Sequence, residues 1–153
     1  MKIADFLAAN TIISNLNSKT KQDVIRELAS TITSAHSNIN SEKLVEVLLE
    51  REKLCSTAID SGVAVPHAKI SGITETILGF GRSMDGIVFE SLDNKPTNFF
   101  ITLVTPEDTT GTQIQLLAQI SKVFRNQELR SRLMKCESEE EILQTIKLED
   151  EKY

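Results

Sequence analysis

Tryptophan is absent from this chain, tyrosine occurs once, and aromatic residues make up only 5% of it. That leaves little material for a platform on which nucleic-acid bases stack. A formal charge of -5 and a pI near 5.1 argue further against nonspecific nucleic-acid binding, which relies on lysine and arginine to neutralise phosphates. Cysteine is also scarce: Cys55 and Cys136 lie far apart, with no CxxC pair and no histidine cluster beside them. Neither a disulfide scaffold nor a zinc site is suggested, and reduced thiols of a cytoplasmic protein are the expectation. No apolar run approaches the roughly 20 residues that span a bilayer. Lys2, Asp5 and Asn10 interrupt the N-terminal hydrophobics, so neither a signal peptide nor stable membrane insertion is expected. GxSxG elbows, HExxH helices and Walker loops are missing too, which removes the usual hydrolase signatures.

What remains is an ordinary globular composition. Over 153 residues, 40% are hydrophobic and 25% charged, enough for one domain with a real core. Residues 19–36 place Val24, Leu28 and Ile32 at helical spacing, and a second helix is expected after Asn40 or Ser41, through Leu44, Val47, Leu48 and Arg51. Then the period fails. Small polar residues 55–62 read as a loop, Val63-Ala64-Val65 as a short strand, 74–83 and 99–105 as strands, 86–90 as a weaker one, and Asp93-Asn94-Lys95-Pro96 as a turn. From Gly111 the helical period returns, with Asn126 as a cap and Ser138 with Glu141 as a capping box. The expected fold class is α/β: a single domain over 1–148 with helices flanking a central group of strands, followed by a frayed tail at 149–153.

The most unusual local sequence is Gly62-Val63-Ala64-Val65-Pro66-His67. Proline restricts the residue before it to extended geometry and fixes its own φ, so the histidine is held stiffly at a strand end. A neutral imidazole offers one unprotonated nitrogen for attack on phosphorus, and a hydrogen bond to the other selects the tautomer. The competing reading is a histidine that caps a strand or bonds within a loop. Arg51, ending the second helix, is suited to stabilising phosphoryl oxygens with paired donors, although a solvated helix-end arginine would look the same. Ser56 and Thr57 add hydroxyls that suit phosphate binding. His36, near the end of the first helix, fits a dipole-favoured position.

Leu49-Glu50-Arg51-Glu52, Ser56-Thr57-Ala58-Ile59 and Gly62-Val63-Ala64-Val65-Pro66-His67 together resemble the signature of the enzyme IIA proteins of the bacterial phosphotransferase system, in their fructose, mannitol and nitrogen-regulatory (type-2) branch. Asp85-Gly86-Ile87, Phe89, Leu92-Asp93, Lys95-Pro96, Val104, Pro106-Glu107-Asp108 and Leu116-Leu117-Ala118 resemble the same family in the same order. The opening Ile3-Ala4-Asp5-Phe6-Leu7 is most similar to its stand-alone nitrogen-regulatory members. The resemblance implies a mixed central sheet with helices on both faces, and a phosphocarrier rather than a self-contained metabolic enzyme. His67 would accept a phosphoryl group from an HPr-type phosphohistidine carrier, and Arg51 would match the family's active-site arginine. No cofactor and no metal are implied. Partners downstream would be regulatory target proteins, or a IIB domain in a sugar-transporting member.

Two departures from the family pattern bear on the site. Asp60 puts a carboxylate in the loop leading to His67. Gln113 stands where the family usually has a second active-site histidine, and glutamine donates a hydrogen bond but carries no charge. Thr110-Gly111-Thr112-Gln113 also fits a capping box opening the next helix, so Gln113 has a structural and a phosphate-contacting reading. Either way, the helix start would aim backbone N–H groups toward an anion.

Overall fold

Five strands and five α-helices follow one another in the computed structural model, which describes residues 1–153 apart from the side chain of Thr110. A 3-10 turn (Ile3–Asp5) leads into β1 (Leu7–Ile13), then α1 (Lys21–Ala35) and α2 (Ser41–Leu54). Next come β2 (Val63–Ala64), β3 (His67–Ile70), β4 (Ile77–Ile87) and β5 (Thr97–Pro106), and finally α3 (Thr110–Phe124), α4 (Gln127–Lys135) and α5 (Glu139–Asp150). Among the described residues, no helix is long and apolar enough to cross a membrane.

The strands form one mixed sheet in the order β1-β4-β5-β2, with β3 also pairing β5. Only β4 and β5 run antiparallel; β1 is parallel to β4, and β2 and β3 are parallel to β5. Side chains on β5 alternate between the two faces, as the pleat requires. Phe100 and Val104 join the core under α1 and α2, with Val24, Leu28, Ile32, Leu44 and Leu48. Phe99, Ile101 and Leu103 join the other core, with Leu116 and Ile120 of α3, Leu129 of α4 and Ile142 of α5. The expected α/β sandwich is therefore the observed one.

Four of the five α-helices, all but α3, start where the sequence supplies a side-chain acceptor for an otherwise unpaired N–H. Asn40 caps α2 by accepting from the N–H of Lys43, Asn126 caps α4, and Ser138 caps α5 by accepting from Glu141. The return half of the Ser138 capping box is displaced by one residue: the Glu141 carboxylate accepts from the N–H of Glu137 at 2.6 Å.

Several expectations need correction. β1 carried no sequence signal, because Ala8, Ala9 and Asn10 are weak strand formers and its pairing with β4 is interrupted between Leu7 and Ile12. β4 starts at Ile77 rather than at 74 and runs through Ile87, absorbing the first half of the weak strand at 86–90. The chain then leaves the sheet, and Glu90 adopts φ 55°, a left-handed conformation unsuited to a strand. At the C-terminus, α5 continues to Asp150, and Glu149 and Asp150 are buried rather than frayed. Glu149 holds Asn126, Arg132 and Lys152, while Asp150 accepts from Gln119 and from the N–H of Ala4. Burial pushes the Glu149 carboxyl up, but its bonds with Asn126, Lys152 and Tyr153 outweigh that and hold it below the ordinary value.

Candidate functional site

Gly62 begins the construction of the site. Ser61 and Gly62 both have positive φ, 65° and 77°, so the loop after α2 reverses sharply into β2. Asp93 steadies this reversal by accepting from the N–H of Ser61 at 3.1 Å. The returning strand pairs with the loop it has just left: Ile59 N–H donates to Val63, and Val65 N–H donates to Thr57 at 3.1 Å. Pro66, which has no N–H to donate, separates β2 from β3, and His67 is the first residue of β3.

His67 is half-buried, and both of its ring nitrogens are engaged. Nδ1 lies 2.8 Å from the Val65 carbonyl, which can only accept, so Nδ1 carries the proton. Nε2 then has a free lone pair, and it accepts from Arg51 Nε at 3.2 Å. Burial lowers the pKa of His67; the bond to Val65 opposes this, and the Arg51 charge adds to the lowering. The ring is therefore neutral at pH 7, with the Nε2 lone pair unprotonated. Arg51, in the last turn of α2, is fixed in turn by donating to the Cys55 carbonyl at 2.8 Å.

An open cleft of about 470 Å³ lies over the ring, lined by Arg51, His67, Lys69 and Gln113 together with Val47, Glu50 and Leu54. Gln113, in the first turn of α3, lines the same cleft as His67. The cap position of that helix is Thr109, whose hydroxyl donates back to Pro106 rather than capping. The alternative with Thr110 as N-cap is set aside because Thr110 is already helical; its side chain lies outside the described residues.

A second opening of about 200 Å³ is also lined by His67 and Arg51, together with Ser56, Thr57, Val65 and Leu117. Ser56 and Thr57 are therefore beside the site, but their hydroxyl protons are already committed. Ser56 donates to the Phe89 carbonyl at 2.7 Å, and Thr57 Oγ1 donates to the buried Glu52 carboxylate. Asp60 is exposed and lines neither opening.

Sequence reasoning assigned no role to Glu52 or Lys69. Glu52 follows Leu44 and Leu48 at helical spacing, so a charged residue on the inward stripe was the available signal. Lys69 is two residues after His67 on a strand, hence on the same face, and its charge acts on the ring.

The family model for the phosphoenolpyruvate-dependent sugar phosphotransferase system, EIIA 2, matches residues 5–149. The chain belongs to this family. It is 34% identical over 150 residues to the fructose-specific EIIABC component of Bacillus subtilis, covering 98% of this chain but only 24% of that protein. With the nitrogen regulatory protein of Bradyrhizobium diazoefficiens it shares 33% identity over 133 residues, 87% of this chain and 86% of the relative. The crystal structure of nitrogen regulatory protein IIA-Ntr from Neisseria meningitidis superposes with a TM-score of 0.88 at 27% identity, covering 94% of this chain and 98% of that one. Mannitol enzyme IIA of Escherichia coli, solved in complex with phosphorylated enzyme IIB, shares the fold with a TM-score of 0.77 at 20% identity. This chain is thus an enzyme IIA domain of the phosphotransferase system.

Proposed function

We propose that His67 accepts a phosphoryl group from the phosphohistidine of a small HPr-type carrier, and that the protein acts as a cytoplasmic phosphocarrier of nitrogen-regulatory type. The observation that carries this reading is the paired engagement of the ring: Nδ1 on the Val65 carbonyl and Nε2 under Arg51. The Nε2 lone pair forms the new bond to phosphorus as the N–P bond of the donor breaks and its electron pair returns to the donor ring. Nδ1 keeps its proton, and the Val65 carbonyl eases the positive charge the ring acquires. Arg51 moves its donor from Nε2 onto a phosphoryl oxygen, with Gln113 and the start of α3 facing the same cleft. Ser56 and Thr57 hold the loop rather than the phosphate. No cofactor is needed, since the donor already contains activated phosphorus.

The nitrogen-regulatory reading draws on relatives of that name whose length this chain nearly spans. Placing a dianion on His67 would change the charge of the face presented to regulatory targets. The B. subtilis relative favours a second reading, in which the phosphoryl group passes on to a IIB domain during sugar uptake. Incubation with a phosphorylated HPr-type donor tests the shared chemistry: label is expected on the parent and absent from His67→Ala. A parent that stays unlabelled contradicts it. Adding a fructose-type IIB domain then separates the readings, since rapid loss of label to IIB supports transport.

A further inference from the structure

Glu52 is a carboxylate only 7% exposed, in the same helical turn as Arg51. Burying a carboxylate carries a desolvation cost that an ion pair seldom does more than offset. Here the ion pair is with Lys21, 3.3 Å away. An apolar residue would fill this space at less cost but would not do what Glu52 does with its two oxygens. One accepts the Thr57 N–H at 3.0 Å, the other the Thr57 hydroxyl. Thr57 then accepts the N–H of Val65 through its own carbonyl, and the carbonyl of Val65 takes the Nδ1 proton of His67. The chain of bonds runs without a gap from α2 to the imidazole.

We infer that Glu52 is a positioning residue that acts through Thr57 and Val65 to hold His67 as the single tautomer with Nδ1 protonated and Nε2 free. The last turn of α2 thereby addresses both ring nitrogens, Nε2 directly through Arg51 and Nδ1 indirectly through Glu52. Lys21 balances the buried charge and lies 4.7 Å above the ring of Phe89, whose carbonyl receives the Ser56 hydroxyl. Both hydroxyls of the loop are therefore hydrogen-bonded within the fold, Ser56 to Phe89 and Thr57 to Glu52. The importance of this device for phosphoryl transfer rests on the acceptor role of His67, whereas the tautomer itself is measurable without any donor.

The test is the ¹⁵N spectrum of the neutral His67 ring at pH 8, in which protonated and bare nitrogens resonate far apart, combined with the rate of labelling by an HPr-type donor. The parent should show a bare Nε2 and a protonated Nδ1. Glu52→Gln and, independently, Thr57→Val should move both resonances toward a tautomer mixture and slow labelling roughly tenfold, the scale of one hydrogen bond. Thr57→Ser, which restores the hydroxyl, should return both readouts to the parent values. If Glu52→Gln fails to fold, Thr57→Val carries the test alone. Resonances unchanged in a folded variant overturn the inference, even if labelling of the parent proceeds. Resonances that shift as expected support it, even if the parent takes no label and the acceptor reading fails.

Discussion

Two helix ends meet over the imidazole of His67, and they contribute unequally. The last turn of α2 brings Arg51 Nε to 3.2 Å from Nε2 and, through Glu52 and Thr57, reaches the carbonyl that holds Nδ1. The first turn of α3 brings Gln113, a neutral amide, to the wall of the cleft. The α2 end is a C-terminus, whose dipole would repel an anion, so its side chains must supply the charge. The α3 end is an N-terminus, whose backbone already favours an anion, so a side chain there can be neutral without leaving the phosphoryl group unsupported. With His67 as the proposed acceptor, a missing second histidine at this helix start is expected to cost less than a missing arginine at that helix end.

The sharpest way to break this comparison is Arg51→Ala. Phosphoryl acceptance should fall about 10²–10³-fold, as when one preorganised transition-state donor is removed, while thermal unfolding shifts by no more than a surface substitution would cause. Equal labelling rates in folded variant and parent would erase the asymmetry. A smaller effect is expected from Gly62→Ala, which forces a side chain into φ 77° and toward Asn98 Oδ1, 3.3 Å from the added carbon. Denaturant unfolding should report a loss of about 1–2 kcal/mol, with labelling slowed because the loop that feeds Nδ1 is displaced.

The pH dependence is weaker but has a definite sign. Burial and Arg51 hold the pKa of His67 below 6.5, so the nucleophile stays neutral through pH 7 and labelling should fall only when the pH drops below that value. The same shift means that the folded state disfavours the protonated ring. This contribution to stability is complete above pH 6.5 and is lost as the pH falls through the lowered pKa. A labelling midpoint above 6.5 would contradict both statements. The smallest change is expected from Gln113→His, which should leave the rate alone or raise it by less than about tenfold, the scale of one added charged hydrogen bond. A sharp loss would show that the amide itself is required on the α3 side.

Much of this was legible in the sequence, for reasons that differ by residue. Val24, Leu28 and Ile32 revealed α1 because burial on one face of a helix imposes its period. The caps Asn40, Asn126 and Ser138 revealed helix starts because orphan N–H groups demand an acceptor. His67 and Arg51 were found by a stiff Val-Pro-His segment and by family likeness, and the structure brings them into contact. Thr57 was singled out for its hydroxyl, but the contact that hydroxyl makes, with Glu52, depends on a loop folding back onto α2, a tertiary fact no local pattern contains. β1 was missed for the opposite reason: its residues have little strand preference, and its place beside β4 comes from the sheet and the helices that cover it. Glu149 and Asp150 looked like a charged tail because their partners, Asn126, Arg132, Gln119 and the N–H of Ala4, lie elsewhere along the chain.

The most direct measurement of the central claim is the position of the phosphoryl group on the ring, read by ³¹P–¹⁵N NMR of the protein after incubation with a phosphorylated HPr-type donor. A single phosphohistidine is expected at His67, bonded through Nε2, with Nδ1 still protonated. Label at Nδ1, label on His36, or no label on the folded parent would contradict the account.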